Sequence, residues 1–348
     1  MIKIILKKGR EDSILRFHPW VFSGAIVQIQ GEPEEGDIVA VHSSKGTYLA
    51  SGHYQIGSIA VRILSFTEDP SSPDFYYRML SRARDLRSAE GLLSAEGNTN
   101  CFRLVHGEGD GLPGLIIDWY NGVCVLQAHS VGMFRAKQRI AEALKQLFRD
   151  NLKAVYDKSS GTAPFKAGLE LIDGYLYKKE GFSENELTVL ENGRKFIVNW
   201  EEGQKTGFFL DQRENRELVS RYAEGRKVLN LFCYTGGFSI YALSAGAVSV
   251  DSVDSSAKAM SLVDRNVALN GVENRHRSYC EDAIEFLGKC EEGKYDLIIV
   301  DPPAFAKHRG ALHNALRAYQ RLNAAAISKV APGGFVFTFS CSQVVDKI

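Results

Sequence analysis

The sequence predicts a doubly wound α/β domain at its C-terminal end, preceded by a small all-β barrel and an α+β segment. Three observations predict it. From about Thr188 onward strand and helix patterns alternate, and the strand candidates Lys227–Phe232, Val248–Val253, Leu297–Val300 and Phe335–Phe339 are largely apolar, as parallel strands buried on both faces require. The first of these strands runs into Gly236-Gly237, a turn that opens a helix, and the fourth runs into Asp301-Pro302-Pro303. The first 66 residues are different, a series of short alternating runs broken by glycine.

A chain of 348 residues exceeds one ordinary core. The barrel is expected over 1–70, with GDIVAVHSSKGTYLASGHYQIGSIAVRIL supplying three strands and turns at Ser43–Gly46 and Gln55–Gly57. Thr67–Pro73 is a polar, proline-bearing linker. The middle domain, 74–187, should hold a helix near Asp74–Glu90, strands near Phe102–His106, Leu115–Trp119 and Val123–Ala128, an amphipathic helix over Met133–Asp150 and a strand at Ala154–Lys158. The α/β domain takes 188–348.

Apolar residues at 45% and charged residues at 24% are the usage of a globular protein. No apolar run approaches the roughly 18 residues of a membrane span, and the N-terminal residues lack a signal-peptide layout, so a cytoplasmic protein is expected. The six cysteines contain no Cys-x-x-Cys pair and His53, His106 and His129 form no ligand grouping, so no metal is expected. Lysine plus arginine equals aspartate plus glutamate at 42 each, so any nucleic-acid contact must come from local clusters.

Glycine in VLNLFCYTGGFSIYAL lets backbone approach a ligand, and the following helix N-terminus offers N–H groups. The Gly-x-Gly-x-x-Gly spacing that seats a pyrophosphate is absent, which argues against NAD. Asp254 ends the next strand, where an acid can accept both hydroxyls of a ribose. Asp282 follows the third strand and can accept from an adenine amino group. The plainer alternative for each acid is that it caps the helix that follows it. Two prolines end the fourth strand at Asp301, and Cys341, in Ser340-Cys341-Ser342 after the fifth, faces the same crevice.

These segments resemble the class I S-adenosylmethionine-dependent methyltransferases, specifically the bacterial 23S ribosomal RNA cytosine-C5 family with an N-terminal PUA domain. HPWVFSGAI (His18–Ile26), RLVHGEGDGLPGLIID (Arg103–Asp118), GQKTGFFLDQRENR (Gly203–Arg216), DPPAF and SCS carry the similarity across the whole chain. It implies a Rossmann-like catalytic domain, S-adenosylmethionine as cofactor, 23S rRNA as partner and a homodimer. It places the methionine end of the cofactor near Gly236, Gly237 and the Lys205–Gln212 stretch, which includes Phe209, with Asn230 and Phe232 on the strand beneath, Asp254 at the ribose, Asp282 at the adenine and Asp301 also in contact with the cofactor. Asn230 stands where an acid is the expectation, and an amide can still accept a hydrogen bond.

Carbon 5 of cytosine is a poor nucleophile, and addition of a thiolate to carbon 6 activates it. The resemblance makes Cys341 that nucleophile and Asp301 the group that bonds the ring nitrogen gaining charge; Cys233 is left as packing. A buried base must be unstacked, with Phe305 as a stacking partner and Lys307 nearby. Arg16, His18 and Trp20, together with Arg78, Arg82, Arg84 and Arg87 on the middle-domain helix, are the candidate RNA contacts, although a solvated helix face explains those four arginines as well. Competing readings are a guanine or adenine N-methyltransferase, which needs no nucleophile, and a non-catalytic RNA-binding protein. The family continues past Ile348 through a helix and an antiparallel strand pair, so the domain is expected to lack its C-terminal end, to leave the fifth strand as an open edge and to leave the proton-abstracting base unidentified.

Overall fold

The computed structural model describes residues 2–94, 97–164, 168–306, 309–342 and 345. The chain forms two compact units, Met1–Leu187 with Val198–Phe208 and Thr188–Ile197 with Phe209–Ile348.

In the first unit, β1 (Ile2–Leu6), β2 (Trp20–Phe22), β3 (Ile26–Gln30), β4 (Ile38–His42), β5 (Tyr48–Tyr54) and β6 (Ile59–Ser65) join in the order β2-β6-β5-β4-β1-β3. Only the β1–β4 pair is parallel among the pairings described. Alternation places Ile4, Leu6, Val39, Val41 and Val61 in a buried core, and the short helix α1 (Asp12–Leu15) adds Ile14.

The same unit holds α2 (Phe75–Ala89), β7 (Cys101–His106), β8 (Leu115–Tyr120), β9 (Val123–Ala128), α3 (Val131–Arg135), α4 (Lys137–Phe148), β10 (Ala154–Asp157) and β11 (Gly174–Lys178), with sheet order β11-β10-β9-β8-β7. The single helix expected over Met133–Asp150 is two helices. Ser130 starts the first, its Oγ accepting from Met133 N, and the chain turns at Ala136 before α4 begins. Ile140, Leu144 and Leu147 of α4 are buried against the sheet, as their spacing requires. A hairpin of β12 (Glu186–Glu191) and β13 (Arg194–Asn199) carries the chain between the units.

The second unit contains α5 (Arg213–Ser220), β14 (Lys227–Leu231), α6 (Gly237–Ser244), β15 (Ser249–Val253), α7 (Ala257–Leu269), β16 (His276–Tyr279), α8 (Ala283–Lys289), β17 (Tyr295–Val300), α9 (Leu312–Lys329) and β18 (Val330–Thr338). Its sheet is parallel throughout, in the order β16-β15-β14-β17-β18. The chain lays down β14, β15 and β16 outward, then returns to place β17 on the other side of β14. That reversal opens a crevice at the C-terminal ends of β14 and β17, where ligands of doubly wound folds bind. Leu229, Leu231, Val253, Ile298 and Val300 are buried on these strands. The expectation of full burial fails for the fifth strand: Phe335 and Phe337 are only half-buried, because β18 is the sheet's edge. No helix among the described residues is long and apolar enough to cross a membrane.

Candidate active site

The segment after β14 is tightly wound. Phe232, Tyr234 and Gly236 all take positive φ, at 57°, 48° and 79°. Two of the three pay steric strain that glycine would avoid, so surrounding bonds must hold the turn. Asp254, at the end of β15, supplies one of them: its Oδ2 accepts from Tyr234 N at 3.0 Å while Oδ1 accepts from Ser256 N at 2.9 Å. Asn266 of α7 supplies another, donating from Nδ2 to Thr235 O at 2.9 Å. Gly236 is the N-cap of α6 and no side chain caps that helix.

Asn230 lies under this turn, fully buried, and donates from Nδ2 to Ser239 Oγ at 2.8 Å. Its Oδ1 is buried with no hydrogen-bond partner among the described residues. Such an acceptor is costly unless something completes it. With the half-exposed carboxylate of Asp254 close by and an uncapped helix N-terminus, the set suits a zwitterionic nucleoside such as S-adenosylmethionine. Phe232 is half-buried, and Phe209 meets Tyr234 edge to face at 5.2 Å. Asp282 is exposed and caps α8, its Oδ1 accepting from Ile284 N and Glu285 N at 2.9 and 3.0 Å. The capping explanation therefore holds for one of its oxygens.

On the other side of the crevice, Asp301 follows β17 directly, and its Oδ2 accepts from Gln212 Nε2 at 3.3 Å. Ser342 fastens the loop after β18 to the loop after β17. It is buried, its Oγ accepts from Ala306 N at 3.3 Å and lies 2.9 Å from the hydroxyl of Tyr319. Cys341 beside it is exposed, its thiol directed at Pro302 O over 3.9 Å. The two loops are thus joined, with a solvent-accessible sulfur next to the segment that bears Asp301. Cys233 differs: it is buried against Met260, and burial, reinforced by Asp254, raises its thiol well above the ordinary value. That suits packing rather than nucleophilic work. Phe305 is half-buried, with its ring 4.7 Å from that of Tyr319. Lys307 lies outside the described residues.

In the first unit, Arg16 is exposed, His18 Nδ1 accepts from Trp20 N at 3.1 Å, and Trp20 donates from Nε1 to Glu108 at 2.8 Å. His18, Trp20 and Phe22 line a cleft of about 380 Å³ with Arg10 and Ser13. The arginines of α2 are not a free basic face. Arg78 pairs with Glu68 and Asp74, Arg84 with Asp85, and Arg87 is largely buried with both terminal nitrogens on Asp110. Arg82 reaches Glu68 only at 3.8 Å and remains the most exposed of the four.

Two features had no mark in the sequence. One is the buried pair Arg216–Glu191 behind Gly237. The other is a polar chain linking Asn230 to Ser239, Ser252 and His276. In both cases the members come from separate elements and nothing in their spacing joins them.

Comparison with known proteins shows the family. A family model described as S-adenosylmethionine-dependent methyltransferase matches residues 102–344, and one described as a PUA-like domain matches residues 4–66. A protein of Shewanella amazonensis named ribosomal RNA large subunit methyltransferase I is 41% identical over 99% of this chain and 86% of its own length. One of the same name from Erwinia tasmaniensis is 39% identical over 99% of this chain and 86% of that protein. Among solved structures, a methyltransferase complexed with SAH aligns with a TM-score of 0.79 at 23% identity, covering 97% of this chain and 85% of that one. A Streptococcus mutans protein assigned as SAM-dependent aligns with a TM-score of 0.77 at 22% identity over 97% of this chain and 85% of that one, so the fold is shared. The chain belongs to the S-adenosylmethionine-dependent methyltransferases that carry a PUA-like domain, the family of the ribosomal RNA large subunit methyltransferase I proteins.

Proposed function

We propose that this protein methylates carbon 5 of a cytosine in large-subunit ribosomal RNA, with Cys341 as covalent nucleophile. The relatives' shared name supports the ribosomal substrate. The observation that carries the base and the mechanism is the exposed thiol of Cys341 at 3.9 Å from Pro302 O, beside Asp301. A methyltransferase acting on a ring nitrogen has no use for a thiol there.

Asn230, Gly236, Gly237 and Asp254 would hold the cofactor, with Phe232 and Phe209 against it and Gln212 and Asp282 at its ends. S-adenosylmethionine, when bound, supplies an electrophilic methyl group on a sulfonium. The chain's own groups prepare the base. The exposed Cys341 gives up its thiol proton to solvent and the thiolate adds to carbon 6, making carbon 5 nucleophilic. Asp301 bonds the ring nitrogen where charge develops, held in place by Gln212. Once carbon 5 carries the methyl group, a base takes its proton and the C–H electron pair expels the thiolate from carbon 6. Phe305 stacks on the extruded base, and Arg16, His18, Trp20 and Lys307 contact the RNA.

The test is transfer of label from tritiated S-adenosylmethionine to unmodified 23S rRNA, followed by nucleoside analysis, with Cys341→Ala in parallel. Label in 5-methylcytidine that disappears in the variant is expected. Label in a purine, indifferent to Cys341, overturns the reading in favour of an N-methyltransferase. Absence of transfer with cofactor bound favours an RNA-binding protein.

A further inference from the structure

A line of buried polar side chains crosses the sheet of the second unit. Asn230 Nδ2 donates to Ser239 Oγ at 2.8 Å, Ser239 Oγ lies 2.7 Å from Ser252 Oγ, and Ser252 Oγ lies 2.7 Å from His276 Nε2. Asn230, Ser239 and Ser252 are fully buried, and His276 begins the outermost strand β16. One arrangement uses each hydroxyl once as acceptor and once as donor along the line. Ser239 accepts from the amide and donates to Ser252, and Ser252 donates to the ring. In that arrangement the line ends on a nitrogen lone pair.

We propose that His276 is a positioning residue for the cofactor: neutral, and accepting at Nε2, it fixes the polarity of the Ser252–Ser239–Asn230 line and so presents the Asn230 carboxamide oxygen to the cofactor. This rests on the reading of Asn230 as a cofactor contact. The orphaned Oδ1 of Asn230 is the end that has work to do. Burial lowers the pKa of His276, against the opposing pull of Asp264 from α7 and Asp251 from β15, with Arg275 and Arg277 flanking it along the chain. The ring is therefore neutral at physiological pH. On protonation Nε2 can only donate, and reversal of the hydroxyls carried through to Asn230 turns the amide to offer its NH₂ where its oxygen was.

Cofactor affinity measured by calorimetry across about pH 7.5 to 5 tests this, on the full chain with folding checked by melting temperature. In the wild type, affinity should fall by roughly tenfold as His276 protonates. His276→Gln, whose amide oxygen can accept but does not titrate, should hold affinity nearly constant. Ser252→Ala should bind weakly at every pH. A His276→Gln profile as steep as the wild type overturns the inference, as does unchanged binding by Ser252→Ala. Asn230→Ala separates the two levels: full affinity defeats the placing of Asn230 at the cofactor, whereas weak binding with an unaltered His276→Gln slope defeats the relay alone. A nitrogen-15 spectrum needs no variant. The ring should carry its proton on Nδ1, and a protonated Nε2 at neutral pH overturns the proposal.

Discussion

Arg216 and Glu191 form a doubly bonded pair, Nε to Oε1 and Nη2 to Oε2 at 2.8 Å each, with both residues almost fully buried. The hydroxyl of Tyr241 completes Glu191 at 2.9 Å. The guanidinium is thereby fixed in a bidentate geometry, and its stem lies directly behind Gly237. Removing one partner leaves the other as an uncompensated buried charge, which costs about 3–5 kcal/mol. Arg216→Met is therefore expected to lower stability by that amount in denaturant titration, and Arg216→Met with Glu191→Leu should recover much of it. A single variant as stable as wild type contradicts the assignment.

The same pair makes Gly237 sensitive in a way its neighbour is not. A Cβ on Gly237 would stand 3.0 Å from Arg216 Cδ, and that carbon cannot retreat while the guanidinium is locked. A Cβ on Gly236 meets Val263 at 3.2 Å, but the larger problem is its φ of +79°, which costs an alanine about 1–2 kcal/mol. Both alanine variants should lose cofactor affinity. Only Gly237→Ala should improve when combined with Arg216→Met, and that coupling is read from a double-mutant cycle.

Much of the second unit was legible because buried parallel strands leave long apolar runs, and Leu229, Val253 and Ile298 sit where those runs place them. The rest depended on partners that sequence does not pair. Arg87 reads as a solvated helix arginine until Asp110, 23 residues on, takes both its nitrogens. Phe335 and Phe337 read as fully buried from their apolar run alone, and their half-burial goes instead with the open edge expected of the fifth strand. Asp282 carries the same local pattern whether it meets adenine or caps a helix, and only the bonds to Ile284 and Glu285 show the second. The Asn230–His276 line spans three strands and a helix, so periodicity within one element could not reveal it.

His53 gives the first unit a pH dependence. It is buried on β5, its ring so close to Gly132 that a Cβ there would fall 2.2 Å from Cγ, and Nδ1 has no partner among the described residues. Burial, with Arg139 and Arg62 adding repulsion, lowers its pKa to about 4. The unfolded chain binds the proton first as pH falls, so the neutral ring's contribution is complete above about 6.5 and shrinks by about 1.4 kcal/mol per pH unit down to about 4. Thermal melts should show a midpoint that drops through that window, and His53→Gln should flatten the slope. Gly132→Ala should destabilise at every pH, since backbone and ring cannot both keep their places.

The final prediction concerns the crevice itself. Asp301 follows a buried strand, its carboxylate accepts from Gln212, and two prolines stiffen the backbone after it. Asp301→Asn keeps the shape and can still bond Gln212, so folding and cofactor affinity should change little. What it removes is a carboxyl group that can hold a proton against the ring nitrogen as thiolate addition pushes negative charge onto it. Loss of a group that acts mainly on developing charge typically costs about 10²–10³ in rate, so single-turnover transfer to RNA should slow by that order while the melting temperature stays within a degree or two. Gln212→Ala, which leaves the charge but frees its orientation, should slow the same step by about tenfold. If Asp301→Asn instead abolishes cofactor binding and leaves the rate of bound enzyme intact, Asp301 belongs to the cofactor side of the crevice rather than to the base.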